Sequence, residues 1–504
     1  MFDPGRSDLT LGIVGTGTMG RGIAQVAAEA GCQVLLCDAR AEAVAAARDE
    51  LARIWQRLAE RGRLDRGRAG ALPGRLAEAR GLGELAPCDL VIEAIVEDLE
   101  AKRQLFRDLE AVVRDECVLA TNTSSLSVTA IAAVCRRPER VAGFHFFNPV
   151  PLMRVVEVID GLLTAPSVGE ALAGLARRFG HRPVRVRDMP GFLVNHAGRG
   201  YTTEALRILS EGVADEAEID RVLREAAGFR MGPFELLDLT GLDVSVPVME
   251  QIYHQFYEEP RFRPVPILRR RLEAGLLGRK SGRGFYRYRE GRAEVRAPEP
   301  PPQLRPAKVW VAPLAHATRV RELVRRLGAE VVEGRAPEDG LLVVAPVGDD
   351  ATTTARAFSL DARRVVAIDP LCGLDSHRTL MTTPATDPEI AAQARGLFAA
   401  DGVPVTCVHD SPGFICQRVL ATIVNIACEI AQQRIAAPAD IDEAVGLGLG
   451  YPKGPLAWGD ELGAETVMAI LQALQRITGD PRYRPSLWLR RRAMLRLSLL
   501  AAEG

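Results

Sequence analysis

The sequence has little that would place the chain in a membrane or outside the cell. Its apolar runs are interrupted by charges and stay short of the roughly 18 residues that a membrane span needs. The opening MFDPGRSDLT has no secretory leader. The nine cysteines are odd in number and form no C-x-x-C pair, which is typical of a reducing compartment. We therefore expect a cytoplasmic protein without a membrane partner.

The sequence also lacks an excess of basic or acidic residues and the histidine and cysteine spacings that are typical of metal sites. The 64 basic and 65 acidic residues leave a formal net charge of -1, so no overall field attracts nucleic acid. The seven histidines show no H-x-x-x-H spacing and no Cys-rich surroundings, which argues against metal catalysis. We expect neither a nucleic-acid partner nor a metal.

What the chain does contain is an alternation of short β-branched runs with Ala- and Arg-rich segments over residues 1–187. This pattern predicts a Rossmann-type α/β domain with a mainly parallel sheet. Residues 188–290 carry apolar side chains at three and four spacing, which predicts an all-α domain. Residues 291–308 are rich in proline and charge, which predicts a stiff linker.

The second half of the chain partly repeats the first. The segment that begins DMPGFLVN at Asp188 resembles one that begins DSPGFICQ at Asp410, 222 residues later. The similarity extends over roughly fifty residues, which predicts an internal duplication. We expect a shortened, degenerate Rossmann-like domain at 309–408 and a second helical domain at 409–504.

A glycine-rich loop near the N-terminus predicts a dinucleotide site. Gly15, Gly17 and Gly20 follow a predicted strand and open a predicted helix, and Asp38 ends the next strand. Glycines there allow a tight turn and close approach of a pyrophosphate, and the aspartate can accept hydrogen bonds from a ribose. Alone, G-x-G-x-x-G can be an ordinary loop; the full context favours a dinucleotide. Asp38 would repel a 2′-phosphate, so NAD is the expected cofactor. The second copy lacks these glycines and is expected to bind none.

The stretch HFFNPVPLMRVVEVI sets His145 and Glu157 among apolar residues. It predicts two adjacent strands joined by a rigid turn, which would let the carboxylate reach one ring nitrogen. Such a pair can be a buried structural tie, because each group satisfies the other. It can also be a general base with its orienting acid. From these residues alone both interpretations stand.

Seven motifs, in this order, resemble the NAD-dependent L-3-hydroxyacyl-CoA dehydrogenases. They lie between Leu9 and Tyr288 and read VGTGTMGRGIAQ, EAIVEDLEAK, TNTSSL, HFFNPVPLMRVVEVI, PGFLVN, GPFELLD and GRKSGRGFY. The two-copy layout resembles the phenylacetate-degradation branch, whose substrate is 3-hydroxyadipyl-CoA. 3-Hydroxybutyryl-CoA enzymes of β-oxidation can share that layout. The chain could also be a dehydrogenase of free hydroxy acids or a catalytically silent dinucleotide-binding protein.

The resemblance implies a role for each matching residue. His145 would be the base, Glu157 would orient it, and Ser124 and Asn195 would hydrogen-bond the substrate oxygens. Lys102 would also contact the acyl-CoA. Besides the glycines and Asp38, the positions expected around the cofactor are Glu97, Lys102, Asn148 and Lys280.

Two features depart from the family pattern. Phe229-Arg230 stands where relatives commonly have Tyr-Pro, and His196 where Arg is common, which puts substrate fit in question. Arg230 could read a distal carboxylate, although helix-surface packing is the simpler interpretation.

The second copy differs at the catalytic positions. It has Asp369 and Gln417 at the places of His145 and Asn195, so we expect it to be silent. Single-copy members of the family pair through their helical domains, and the second helical domain would supply that surface within one chain. Association of whole chains into a homo-oligomer is left open.

Overall fold

Two compact units make up the protein. The computed structural model describes residues 2–295, 297 and 299–503. The first unit holds residues 2–196 together with Gln433–Leu449, and the second holds Ala197–Gln432 and residues 450–503. Gln433–Leu449 belongs to the second copy by sequence, so the compact units cut across the predicted domain bounds.

The first unit is built on an eight-stranded sheet. Its order is β3-β2-β1-β4-β5-β6-β7-β8. The first six strands are parallel, β7 is antiparallel to β6, and β8 is parallel to β7. The predicted α/β class and mainly parallel sheet are confirmed. The strands are β1 Thr10–Val14, β2 Gln33–Cys37, β3 Leu76–Glu78, β4 Leu90–Glu93, β5 Val118–Thr121, β6 Val141–Phe146, β7 Val155–Asp160 and β8 Arg182–Arg187.

Helices cover both faces of this sheet, and apolar clusters lie on each side. They are α1 Thr18–Glu29, α2 Ala41–Glu60, α3 Arg66–Ala71, α4 Leu99–Val112, α5 Val128–Ala132, α6 Pro166–Arg178 and α7 Val194–Ala197. Short 3-10 turns, here and later in the chain, lie at Leu72–Arg75, Leu82–Leu85, Pro138–Arg140, Pro260–Phe262, Arg279–Ser281, Ala362–Arg364 and Pro481–Tyr483.

The second unit begins with the first helical copy and a small hairpin. These elements are α8 Arg199–Ser210, α9 Glu216–Glu225, α10 Pro233–Thr240, α11 Leu242–Gln255, α12 Pro266–Glu273, β9 Arg287–Arg289 and β10 Arg292–Glu294. Strand β10 pairs with β9 in antiparallel register. The segment predicted as a linker therefore starts with a strand, because the turn at Glu290 and Gly291 folds the chain back on itself.

A second sheet of six strands follows, in the order β12-β11-β13-β14-β15-β16. Strand β15 is antiparallel to β14 and parallel to β16, as β7 is to β6 and β8. The shortened second copy of the sheet is thus confirmed. Its elements are β11 Lys308–Val311, α13 Ala317–Arg326, β12 Glu330–Val332, β13 Leu341–Val344, α14 Ala351–Ala357, β14 Val365–Ile368, β15 Arg378–Thr382, α15 Pro388–Phe398 and β16 Val405–Val408.

The chain ends in the second helical copy. Its helices are α16 Cys416–Gln432, α17 Pro438–Leu449, α18 Pro455–Leu462, α19 Ala464–Thr478 and α20 Leu487–Leu495. Helix α17 lies in the first unit, where it contacts β7 and β8; the other four lie in the second unit.

The repeated aspartates show why the D-x-P-G-F motif occurs twice. Asp188 accepts hydrogen bonds from the Val128 and Thr129 N–H groups at the start of α5, at 3.1 and 2.7 Å. Asp410 does the same for Ala351 and Thr352 at the start of α14, at 2.8 and 3.2 Å. Both carboxylates satisfy N–H groups that a helix start leaves unpaired. The aspartate of the motif is structural in both copies.

Within the second unit the two helical copies pair through α8 and α16. Gly200 permits the close approach, because a Cβ there would lie 3.2 Å from Ile423 Cα. Arg418 of α16 is fully buried and bonds Glu204 and Glu211 of the first copy, at 2.5 and 2.6 Å. These carboxylates raise the pKa of Arg418 despite its burial. The structure therefore has the predicted pairing within the chain.

Membrane helices and metal clusters are both missing from the described residues. Of that part of the chain, no helix is both long and apolar enough to cross a membrane, and no group of three or more potential ligands could hold a metal ion. All nine cysteines are free thiols.

Candidate active site

The glycine loop has the shape that a dinucleotide requires. The three glycines differ in their backbone angle and in the space around them. Gly15 has a φ of +94°, in the region that favours glycine. A Cβ on Gly20 would lie 1.8 Å from the Gly15 carbonyl oxygen, whereas one on Gly17 would meet nothing within 4 Å. The loop is thus tight beneath and open above the N-terminus of α1. That opening suits a pyrophosphate.

Asp38 is held at the end of β2 by the same loop. One of its oxygens accepts from the Thr16 N–H at 2.8 Å and the Thr16 hydroxyl at 3.0 Å, and the other from the Arg40 N–H at 3.1 Å. Partial burial raises the pKa of Asp38, but these hydrogen bonds outweigh it and the net pKa is lowered. The carboxylate is therefore ionised at neutral pH, as the predicted ribose contact needs.

Glu97 organises the loop that carries Ser124. Its Oε1 accepts from the Ser124 N–H at 2.8 Å, from the Ser124 hydroxyl at 3.2 Å and from the Thr123 hydroxyl at 2.7 Å. Burial raises the pKa of Glu97, but Lys102 and these donors lower it overall. Glu97 thus fixes the position of Ser124, a function that its predicted place near the cofactor did not include.

Lys102 lies beneath this loop and not in solvent. Its side chain is 1% exposed, and its ammonium is 2.5 Å from Glu93 Oε1 and 3.3 Å from Glu97 Oε2. Glu93 also accepts from the Thr121 hydroxyl at 2.6 Å and the Ile95 N–H at 2.7 Å. A buried ammonium between two carboxylates ties the ends of β4 and β5 to α4. Its direct contact with cofactor or acyl-CoA stays a prediction.

The structure brings His145 and Glu157 together as expected. They are directly opposite each other on β6 and β7, and Nδ1 of His145 is 2.6 Å from Glu157 Oε2. The glutamate is fully buried and the histidine nearly so. With Nδ1 facing the carboxylate, Nε2 is the ring nitrogen that can meet a substrate hydroxyl.

The second oxygen of Glu157 is held by the turn after β8. Oε1 accepts from the Leu193 N–H at 2.9 Å and the Val194 N–H at 2.8 Å. Phe192 just before them has a φ of +50°, and this left-handed residue aims the two N–H groups at one point. The next residue, Asn195, reaches the Ser124 carbonyl oxygen at 3.4 Å. Ser124, His145, Glu157 and Asn195 therefore form one connected group.

Asn148 and Lys280 are the other two residues predicted to lie at the cofactor. Asn148 is an exposed residue just after β6. Lys280 lies in the second unit, where its ammonium is 2.5 Å from Asp243 Oδ1. Their roles toward the cofactor stay predictions.

The residues that depart from the family pattern differ in their surroundings. Phe229 is buried and stacks on Tyr201 with ring centroids 4.3 Å apart, so it belongs to an aromatic cluster. Arg230 is exposed in the second unit, and its contact with a distal carboxylate stays a prediction. His196 is fully buried at the end of the first unit.

Sequence reasoning missed three supporting groups. Asn122 accepts the Phe146 N–H at 2.9 Å and so holds the end of β6 beside β5. Glu93 and the N–H pair of Leu193 and Val194 were also unassigned. Glu93 had a signal, since it ends a strand and opens the motif EAIVEDLEAK. Backbone donors carry no such signal, because any residue type supplies an N–H.

The second copy has a different set of groups at the same places. By strand register Asp369 is opposite Thr379 as His145 is opposite Glu157, because β14 and β15 pair as β6 and β7 do. Asp369 is fully buried and accepts from the Gln417 amide at 2.9 Å. Burial raises the pKa of Asp369 to about 6. No imidazole or partner glutamate is present at these two positions.

Two family models match the chain. The NAD binding domain of 3-hydroxyacyl-CoA dehydrogenase matches residues 10–189, and the C-terminal domain of 3-hydroxyacyl-CoA dehydrogenase matches residues 191–288 and 413–497. The second match bears out the duplication of the helical domain.

The chain is similar to proteins of about its own length and to proteins of about half its length. The chain is 41% identical over 488 residues to 3-hydroxyadipyl-CoA dehydrogenase of Escherichia coli (strain K12), covering 96% of this chain and 98% of that one. It is 40% identical over 280 residues to a probable 3-hydroxybutyryl-CoA dehydrogenase of Deinococcus radiodurans, covering 56% of this chain and all of that one. The solved structure of a 3-hydroxybutyryl-CoA dehydrogenase from Escherichia coli K12 superposes with a TM-score of 0.86 at 38% identity, covering 97% of this chain and 98% of that one.

Proposed function

Because the chain belongs to the 3-hydroxyacyl-CoA dehydrogenase family and is an oxidoreductase that uses NAD, we propose that its substrate is 3-hydroxyadipyl-CoA. The observation that carries this choice is the similarity to the 3-hydroxyadipyl-CoA enzyme along nearly the whole of both chains. The Deinococcus radiodurans relative reaches only 56% of this chain.

We further propose that His145 is the catalytic base. Its Nε2 takes the proton of the 3-hydroxyl group, and Glu157, 2.6 Å from Nδ1, holds the tautomer and stabilises the imidazolium that forms. Bound NAD supplies the acceptor for the hydride that leaves C3. Near-complete burial of the pair strengthens this electrostatic stabilisation.

Ser124 and Asn195 complete the proposed site. Asn195 offers an amide N–H as a donor, whereas the Ser124 hydroxyl donates to Glu97 at 3.2 Å and would turn its proton toward the substrate oxygen. Both residues lie on segments fixed by glutamates, Ser124 by Glu97 and Asn195 through the turn bonded to Glu157. Donors fixed in advance favour an oxygen that gains negative charge during reaction. We propose that they bind the substrate oxygens.

The test of the base is His145→Gln. We expect turnover to fall about a hundredfold or more, as for a lost general base, while NADH binding is unchanged. His254→Gln is a matched control, because that histidine is exposed and bonds Glu258 at 2.8 Å by its Nδ1. Turnover of His145→Gln at the level of this control would exclude His145 as the base.

The substrate is tested by NADH oxidation, followed at the NADH absorbance band, with 3-ketoadipyl-CoA and with acetoacetyl-CoA. We expect the higher kcat/KM with the dicarboxylyl thioester. The rival substrate is 3-hydroxybutyryl-CoA. It is favoured by the solved structure of the Escherichia coli 3-hydroxybutyryl-CoA dehydrogenase, which matches nearly the whole of this chain. A higher kcat/KM with acetoacetyl-CoA would establish the rival instead.

A further inference from the structure

The second copy reaches the proposed catalytic group through one helix. Helix α17 (Pro438–Leu449) belongs to the second copy by sequence but lies in the first unit, against β7 and β8. Strand β7 carries Glu157, and the turn after β8 carries the two N–H groups that bind it. The second copy, which we expect to have no catalytic activity, is therefore in contact with the strand and the turn that position the His145–Glu157 dyad.

Gly448 is the residue of this helix at which an added side chain would meet the turn and the strand. A Cβ on this residue would lie 2.9 Å from Val194 Cγ1, 3.2 Å from Val194 Cγ2 and 3.5 Å from Val155 Cγ1. Val194 donates its N–H to Glu157 at 2.8 Å and directly precedes Asn195. Val155 lies two residues before Glu157 on β7, so its side chain is on the same face of the strand. A methyl group at position 448 would thus press on the turn that binds Glu157 and on the strand that carries it.

Neither partner can easily move away from an added methyl group. Val194 is fully buried, and its β-branched side chain has few alternative rotamers. Helix α17 is anchored, because Arg182 is 3.0 Å from Asp440 and 2.7 Å from Glu443. Just before the helix, the Ile435 carbonyl accepts the Arg187 N–H at 3.0 Å. The strain would therefore pass to the backbone at Val194.

The corresponding contact in the other copy has a different residue. Ala226 stands 222 residues before Gly448, where the first helical copy packs within the second unit; its Cβ lies 2.6 Å from the place a Cβ on Gly373 would take. The methyl group of Ala226 faces a glycine, beside the copy that lacks the His–Glu pair, and Cys416 stands 222 residues after Val194. The glycine stands at the contact beside His145 and Glu157.

We infer that the second copy positions the catalytic group, with Gly448 as a positioning residue that sets Val194 and, through its N–H, Glu157. The inference rests on the roles proposed for His145 and Glu157. It assigns the degenerate copy a part in the reaction of the first copy: helix α17 holds the turn that orients the base.

The test is Gly448→Ala against Gly446→Ala. Both glycines lie in α17 and both variants gain the same helix propensity, but a Cβ at Gly446 would meet nothing within 4 Å. We expect Gly448→Ala to lower kcat about tenfold or more, since small displacements of a catalytic group are costly. KM for NADH and acyl-CoA should stay as in Gly446→Ala, because the glycine loop at Gly15 and Gly17 is not disturbed.

Two further readouts separate positioning from loss of folded protein. With NADH deuterated at the transferred position, the isotope effect on kcat should rise in Gly448→Ala, because a misplaced dyad makes chemistry more rate-limiting; an inactive fraction leaves this ratio unchanged. Val194→Ala removes the contacting methyl groups, so the loss caused by Gly448→Ala should be smaller in that background.

The outcomes distinguish this inference from the proposed function. If Gly448→Ala matches Gly446→Ala in kcat, or if its loss is equal in the Val194→Ala background with an unchanged isotope effect, the inference is wrong. If His145→Gln keeps its turnover, the proposed base is wrong and the inference falls with it. A large loss in His145→Gln with no effect of Gly448→Ala overturns the inference alone.

Discussion

Replacing Glu157 by glutamine should convert the dyad from an active to an inactive tautomer. Oε1 of Glu157 accepts two N–H groups, from Leu193 at 2.9 Å and Val194 at 2.8 Å. In Glu157→Gln the carbonyl oxygen must stay on that side, because an NH2 group facing two donors would lose both hydrogen bonds. The new amide nitrogen then faces Nδ1 of His145, where the carboxylate stood at 2.6 Å.

This geometry determines the size of the effect. The amide donates to Nδ1, so the imidazole proton moves to Nε2, and Nε2 can no longer accept the hydroxyl proton. The variant also loses the negative charge that stabilises the imidazolium. An amide in place of an orienting carboxylate costs about 10³–10⁴ in kcat, which corresponds to roughly 4–5.5 kcal/mol of barrier. Shape and hydrogen-bond count are nearly kept, so we expect little change in melting temperature.

The assay is steady-state oxidation of NADH with a 3-ketoacyl-CoA, with NADH binding measured by fluorescence. Glu100→Gln is the matched control, because that glutamate lies on α4 with its side chain 71% exposed. We expect the control to behave as the parent protein. If Glu157→Gln binds NADH normally and keeps more than about a tenth of kcat, the tautomer argument is refuted, since the orienting role alone predicts far less.

Two further predictions concern the cofactor and the second copy. Asp38→Ala removes the ionised carboxylate that we expect to face the ribose, so kcat/KM for NADPH relative to NADH should rise about tenfold or more; an unchanged ratio, measured with both cofactors, would contradict the expected contact. Asp369→Asn should leave kcat unchanged and stabilise the fold above pH 6. Burial raises the pKa of Asp369 from 3.8 to about 6, so the folded state favours the protonated acid and the parent protein loses stability as pH rises from about 4 through 6. The variant does not carry this cost, which is up to roughly 3 kcal/mol at pH 8. Urea unfolding at pH 4 and pH 8 measures it, and an equal difference at both values would show that the charge is not its cause.

Much of the fold and of the arrangement of the proposed catalytic group could be predicted from sequence because the signals are local. The glycine loop, the strand that follows it and Asp38 lie within one short segment, and their spacing reflects one turn. His145 and Glu157 are twelve residues apart on neighbouring strands, so a tight connection brings them into register. Each of these predictions needed only one local structural unit.

The remainder depends on contacts between distant segments or on backbone groups. The N–H groups of Leu193 and Val194 bind Glu157, which lies 36 and 37 residues earlier in the sequence. No side-chain type in the sequence indicates these backbone contacts. The sequence predicts that Lys102 contacts the acyl-CoA and the cofactor, and only the fold shows it buried between Glu93 and Glu97. The position of α17 in the first unit could not be predicted from sequence. Periodicity predicts a helix but not the sheet against which the helix packs.

The features that the second copy lacks and those that it keeps are those expected of a structural support for the first copy. Its sheet has six strands where the first has eight, its loop has no glycines, and Asp369 and Thr379 stand at the positions of the dyad. It keeps the Asp410 cap, the left-handed residue Phe414, and helices α16 and α17. The missing features are those that a cofactor or a reaction needs, whereas those retained support the turn, pair with α8 or lie on β7 and β8. A copy kept for its own chemistry would show the opposite division.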